Sequence, residues 1–448
     1  MKNKPVMDSM KDFAVHQALN YIGGKPEENI PKLMALVDSF TPADWYKSQR
    51  DHIRCAIDEK DNWYELILKV YDLDAGVRQA FFQNFLFNAS LKGSAIQRDI
   101  EERENCNVPW AILLDPTSAC NLQCTGCWAA EYGNQLNLSL ETIDAIVCQG
   151  KQLGVYMYIY TGGEPLVRKE DLMKICEMHP DCAFLSFTNG TLIDEAFCQR
   201  MLQVKNFVPA ISLEGFEDAN DARRGKGSYQ KVKQAMALLK KHRLPFGIST
   251  CYTSRNWEDI TSEAFFDYII NEGALFCWFF HYMPVGREAV VDLLPTPEQR
   301  EMVYRRIRDF RKNKAIFTMD FQNDAEYVGG CIAGGRRYLH INANGDVEPC
   351  VFIHFSNANI HDTTLLEALK TPLFQAYREG QPFNENMLRP CPMLENPEKL
   401  RQMVETTKAT NTDYKNIENV EQLYGKTKQY ADQWQETADR LWNEKNNV

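Results

Sequence analysis

From about residue 108 to residue 320 the chain alternates short apolar runs with stretches of helical periodicity, and this alternation is its strongest constraint on folding. The apolar runs fall at 110–115, 156–161, 183–188, 207–213, 245–252 and 275–282. Helical spacing marks 139–153, 192–204, 228–242 and 257–271, with a further stretch at 297–313 after the last run. Short apolar strands separated by helices of about 10–15 residues predict parallel βαβ units. A parallel sheet is covered on both faces, so its strands need no polar side. Six repeats predict the α/β class and a curved, partial (β/α)6 barrel, too short for the closed eightfold form. In such folds functional groups collect at the C-terminal ends of the strands.

The flanks read differently. Residues 1–105 predict a helical N-terminal region, with apolar residues at helical spacing over 63–71 and 76–87. Phe81, Phe82, Phe85 and Leu86 form a broad aromatic face, suited to packing on the next domain or to meeting a partner or membrane. The charged stretch 97–105 is a plausible boundary, which gives 106–320 to the barrel. Residues 321–400 break the alternation. There 338–350 predicts a β-hairpin whose Asn344-Gly345 pair supplies the positive-φ residues of a tight turn. Residues 401–448 read as a helical tail, docked or loose.

With 50 basic and 61 acidic residues the net charge is −11. That acidity argues against general nucleic-acid binding, which needs clustered Lys and Arg. The first eight residues hold no apolar stretch, and no run of about 18 apolar residues occurs. Neither a secretory signal nor a transmembrane helix is therefore expected. Fourteen cysteines then argue for a reducing, oxygen-poor cytoplasm over a disulfide framework.

Three of those cysteines, Cys120, Cys124 and Cys127, lie within eight residues, just after the first apolar run. Three close thiolates can hold a [4Fe–4S] cluster and leave one iron open. They can also hold zinc with a fourth ligand from elsewhere, or be unrelated buried thiols. The paired spacing common in structural zinc sites is absent. The second run ends in Gly162-Gly163-Glu164-Pro165, where glycines admit a close approach, a carboxylate can accept from an ammonium group, and proline stiffens the turn. The third ends in Thr188-Asn189-Gly190 and the fourth in Ser212-Leu213-Glu214-Gly215. A basic, Gly-rich loop, 223–229, follows. Each alone could be turn chemistry, but together they line one sheet edge.

At this point the chain resembles the radical SAM superfamily. Cys120-x₃-Cys124-x₂-Cys127 matches its cluster motif, although Trp128 follows the last cysteine where relatives more often place an aromatic residue before it. Gly162 to Pro165 match its methionine-amino motif, and the six βα units match its partial barrel. The resemblance implies that Cys120, Cys124 and Cys127 hold a [4Fe–4S] cluster whose open iron takes S-adenosylmethionine. Glu164 and the Gly162–Gly163 backbone would steady the methionine amino group. Ser212 matches the serine near the carboxylate or ribose, Arg223 or Arg224 matches the arginine, and Glu214 suits the ribose region. The implied activity is an oxidoreductase or transferase using a 5′-deoxyadenosyl radical, fed by a reductant such as flavodoxin or ferredoxin. The substrate class stays open between peptide or protein and lipid-like molecules.

Cys331-x₁₈-Cys350 followed by Cys391-Pro392 resembles the SPASM or shorter twitch extension, which implies an auxiliary iron–sulfur cluster. A full pattern has more closely spaced cysteines than this chain supplies, so the fourth ligand is open, with His354 or a substrate group as candidates. Cys55, Cys106, Cys148, Cys176, Cys182, Cys198, Cys251 and Cys277 are scattered, and most read as core residues. Cys251 and Cys277 lie on barrel strands and so are expected near the site. The rival from another class is a non-catalytic iron–sulfur or zinc scaffold.

Overall fold

A computed structural model describes residues 25–40 and 47–446. The expected N-terminal start without a signal, and parts of the helical region within 1–24 and 41–46, lie outside the described residues. The six expected strands are all present: β1 Ala111–Leu114, β2 Met157–Tyr160, β3 Ala183–Thr188, β4 Phe207–Ser212, β5 Gly247–Tyr252 and β6 Phe276–His281. Each pairs in parallel with the next. All four residues of β1 and of β2 are buried, as a sheet covered on both faces requires. The connecting helices begin at caps the sequence supplies. Ser139 accepts from the Thr142 amide to open Leu140–Gln152, and Thr296 with Gln299 forms a capping box at the start of Pro297–Asn313.

The sheet is larger than the six expected strands. A seventh strand, β7 (Phe317–Asp320), pairs in parallel with β6. On the opposite edge β8 (Tyr338–Ile341) pairs in parallel with β1, and β9 (Val347–Glu348) folds back antiparallel to β8. The strand order is therefore β7-β6-β5-β4-β3-β2-β1-β8-β9. The hairpin expected apart from the barrel thus continues the barrel sheet at its β1 edge. Its turn also differs from the expectation. Five residues, 342–346, join the strands, and only Gly345 has positive φ, at 90°. The Asn342 side chain accepts from the amides of Asn344 and Asp346, so an Asx-type turn takes the place of the two-residue form.

The N-terminal segment is a run of helices over its described residues, broken at 60–61 and 72–74, and its aromatic face meets the barrel. Phe85 packs edge-on against Trp110, and Asn84 donates to the carbonyls of Pro180 and Cys182. Leu86 stays outside this contact, at 38% exposure. At the other end, the 27-residue helix Val420–Asn446 docks on the barrel helix Pro297–Asn313. Trp434 is fully buried there beneath the Arg300 guanidinium, 4.1 Å from the ring centroid. No helix among the described residues is long and apolar enough to cross a membrane.

Candidate active site

Because β1 to β6 are parallel, the loops leaving their C-terminal ends share one edge. The loop after β1 carries Cys120 at the surface and Cys124 and Cys127 half-buried. It is held from three directions. The Asp115 amide donates to Ile341 of β8, the Thr125 amide to the Arg223 carbonyl at 3.0 Å, and Tyr282, just after β6, leans on Gly126. Gly126 has φ +65°, and a Cβ there would lie 2.6 Å from the Tyr282 hydroxyl, so only glycine fits. Crowding by protein atoms pushes the Cys120 thiol up to about 11 and raises Cys127 as well. Both are thiols near neutrality, and a bound metal would displace their protons. Among the described residues these three sulfurs do not gather within 4.8 Å of one another. A single tetrahedral zinc would hold its thiolates about 3.8 Å apart, closer than these three sulfurs all stand.

The Gly-Gly-Glu-Pro turn after β2 is bolted to this loop. Gly163 donates to Thr117 at 3.1 Å and Glu164 to Ala119 at 2.9 Å. A Cβ on Gly163 would sit 2.2 Å from the Ala119 carbonyl oxygen, and one on Gly162, where φ is +98°, 2.7 Å from Asp115. Glu164 is 1% exposed and accepts from Thr188 Oγ1 at 2.6 Å, the Asn189 amide at 2.7 Å and the Leu166 amide at 3.0 Å. Burial raises its pKa, and those three donors oppose the shift. The carboxylate ties the ends of β2 and β3 together and keeps acceptor capacity on Oε2. Pro165 opens the short helix Pro165–Arg168 behind it.

Beyond β4 the charges are paired. Glu214, fully buried, receives Arg223 at 2.7 Å, Arg224 at 2.5 Å and the Cys251 amide at 3.1 Å. Arg224 reaches to 4.0 Å from the Cys124 sulfur. Two guanidinium groups against one carboxylate leave net positive charge beside the cysteine loop, the sign that favours a thiolate-bound, net negative centre. Ser212, at the end of β4, is half-buried and its hydroxyl has no bond among the described residues. Cys251 joins this group and its thiol is pushed up to about 11, chiefly by burial. Cys277 does not, contrary to expectation. It is the second residue of β6, fully buried, with Thr250 as its neighbour at 3.9 Å. Among the other scattered cysteines, Cys55 and Cys148 are exposed and the rest are buried.

Cys331, Cys350 and Cys391 converge separately. Burial pushes Cys331 up to about 11 and Cys350 up to about 12, and raises Cys391 well above the usual thiol range. The Gly334 amide donates to the Pro349 carbonyl at 2.8 Å, which sets the segment after Cys331 beside Cys350. Tyr338 of β8 holds its hydroxyl 2.7 Å from the Cys350 sulfur, and Glu395 accepts from the Cys391 amide at 2.6 Å. His354 is held through one nitrogen, and its buried Nε2 has no partner among the described residues. Its Nδ1 bonds Asp413 at 2.7 Å and its ring stacks on Tyr132 at 4.4 Å.

Sequence reasoning missed a buried relay between the two cysteine sets. His340 of β8 lies between Asp115 (2.9 Å) and Glu348 (2.6 Å), and Tyr132 donates to Glu348. All four are buried, and Trp128, directly after Cys127, packs edge-on against His340. The only signal was the polar character of His340 and Glu348 in the otherwise apolar strands of the hairpin.

Comparison with known proteins agrees with this geometry. A family model for the radical SAM superfamily matches residues 114–265, and one for the SPASM iron–sulfur cluster-binding domain matches 331–393. Fe-coproporphyrin III synthase of Methanosarcina barkeri is 27% identical over 232 residues, covering 48% of this chain and 57% of that protein. PqqA peptide cyclase of Granulibacter bethesdensis is 25% identical over 294 residues, covering 60% and 76%. Among solved structures, Streptococcus suis SuiB bound to its precursor peptide SuiA matches with a TM-score of 0.55 at 19% identity, over 74% of this chain and 80% of that one, which shows the shared fold.

Proposed function

We propose that this chain, a radical SAM protein with a SPASM domain, is an enzyme that cleaves S-adenosylmethionine reductively and uses the resulting radical on a substrate C–H bond. Cys120, Cys124 and Cys127 would hold a [4Fe–4S] cluster, and Cys331, Cys350 and Cys391 an auxiliary one. When bound, the first cluster supplies the single electron that splits the sulfonium into methionine and a 5′-deoxyadenosyl radical. The chain's own residues do the positioning. The Gly162–Gly163 backbone and Glu164 would orient the methionine amino group, Ser212 its carboxylate or the ribose, and Arg223 with Arg224 would balance negative charge at the cysteine loop. We assign 1–105 to a helical N-terminal region, 106–320 to the barrel, 321–400 to the auxiliary domain and 401–448 to the tail. The electron donor would be a flavodoxin or ferredoxin in an oxygen-poor cytoplasm.

The observation that carries this reading is the bonding of the Gly162–Glu164 turn to the cysteine loop at 3.1 and 2.9 Å, which holds the turn and the loop together at one strand edge. For the substrate, the aromatic row Phe187, Trp278, Phe280 and Phe321, with successive ring centroids 5.1–5.9 Å apart, supports an apolar group in the barrel. A peptide presenting an apolar side chain fits both this row and the peptide relatives; a lipid-like substrate fits the row alone. The test is anaerobic reconstitution, reduction with dithionite and addition of S-adenosylmethionine. Formation of 5′-deoxyadenosine is expected, and well-loaded protein that makes none would return the chain to the scaffold reading. Replacing Cys120, Cys124 and Cys127 together by alanine should abolish the product while iron at the second set remains. Deuterium transfer from labelled peptides or lipids into 5′-deoxyadenosine would separate the substrate classes.

A further inference from the structure

Outside the site, on the barrel flank, three different metal-ligating side chains meet. Asp144 and Cys148 stand one turn apart on the helix Leu140–Gln152 and so share a face. His179 caps the C-terminal end of the helix Lys169–Met178. Its imidazole Nε2 lies 2.8 Å from Asp144 Oδ1, and the Cys148 sulfur lies 3.9 Å from that same oxygen. The three ligand atoms all fall within 4.8 Å of one another, the only such group among the described residues. Both helices run antiparallel to the strands, so this group sits near the sheet edge opposite the cysteine loop.

We propose that Asp144, Cys148 and His179 bind a zinc ion that clips these two helices together. One nitrogen, one carboxylate oxygen and one thiolate form a borderline donor set, which favours zinc over the ferrous ion present during cluster loading. A tetrahedral zinc needs such atoms about 3.2–3.8 Å apart, so small side-chain rotations suffice. His179 is the rigid ligand. Its amide donates to Ile175, and its carbonyl accepts from the Cys182 amide and Asn206 Nδ2, each at 3.0–3.1 Å. Asp144 is one-third exposed and Cys148 lies at the surface, which leaves an entry path and room for a fourth, water ligand. A carboxylate and a thiolate balance the ion's charge, the thiol proton leaving on binding. Without zinc, the His179–Asp144 bond satisfies both partners.

The test uses protein carrying both iron–sulfur clusters, equilibrated with zinc chloride, passed over a chelating resin, and assayed for zinc and iron together. Wild type should retain one zinc per chain with its iron content unchanged. Its zinc-edge X-ray absorption should show one sulfur neighbour among nitrogen and oxygen. Cys148→Ser, at an exposed position, and Asp144→Ala should each weaken retention at least about tenfold, and zinc should raise the thermal midpoint of wild type but not of Cys148→Ser. Equal retention by wild type and Cys148→Ser would overturn the site. So would no retention by wild type, or zinc gained only as iron is lost.

Discussion

Arg300 and Glu395 meet at 2.8 Å with neither side chain exposed to solvent. Arg300 belongs to the barrel helix Pro297–Asn313, whereas Glu395 lies four residues after Cys391 and accepts its amide. The pair therefore couples Cys391 of the second cysteine set to the barrel. Removing one partner strands a buried charge, which costs about 3–5 kcal/mol. Glu395→Gln should lower the thermal midpoint and reduce iron retained by a chain already lacking Cys120, Cys124 and Cys127. Unchanged iron in that background would detach Glu395 from the auxiliary site.

Gly163→Ala tests the contact between the β2 turn and the cysteine loop. Its Cβ would need the space of the Ala119 carbonyl, 2.2 Å away, and backbone cannot move aside as a flexible side chain does. The loop should shift, so 5′-deoxyadenosine formation should fall by more than about tenfold, an order matching a barrier change of about 1.4 kcal/mol. Iron bound at the first set should fall with it. The measurement is product yield and iron content, wild type against variant.

The strands were legible because each is an unbroken apolar run, and the cysteine loop because its spacing is local. What escaped depended on distance in sequence. β7 is four residues long and β8 pairs with β1 more than 220 positions earlier, and no local periodicity encodes that partner. Glu214 shows the same limit. Its place at a strand end was readable, but its bonds to Arg223 and Arg224 on one helix and to the Cys251 amide on β5 join two segments that only the folded sheet brings together. The pair of Arg300 and Glu395 left no mark at all, since each reads alone as an ordinary surface charge.

Tyr338→Phe probes the second set electronically. The phenol lies 2.7 Å from the Cys350 sulfur, where it would donate to a ligating thiolate, and such bonds raise a cluster's reduction potential. Phenylalanine keeps the ring and removes the donor. The auxiliary potential should move to more negative values in an EPR-monitored titration, by on the order of tens of millivolts, because only the difference in bond strength between oxidation states counts. A potential that stays put or rises would exclude the donation.

His340 supplies a pH test of the buried relay. Asp115 and Glu348 grip its two nitrogens, and although burial opposes its charge their attraction holds its pKa up at about 10. Tyr132 packs against its ring, with His354 stacked on Tyr132. In the unfolded chain histidine titrates near about 6.5. The folded state therefore binds the proton more tightly, and this stabilisation is full below about 6.5 and is lost as pH rises through about 10. His340→Gln should destabilise the protein by roughly 3–5 kcal/mol near neutrality, since two carboxylates lose their cation. That gap should narrow steadily between pH 7 and 10, read from urea unfolding midpoints of the cluster-loaded proteins under anaerobic conditions. A gap that stays constant over this range would mean that His340 is neutral in the fold and acts through packing alone.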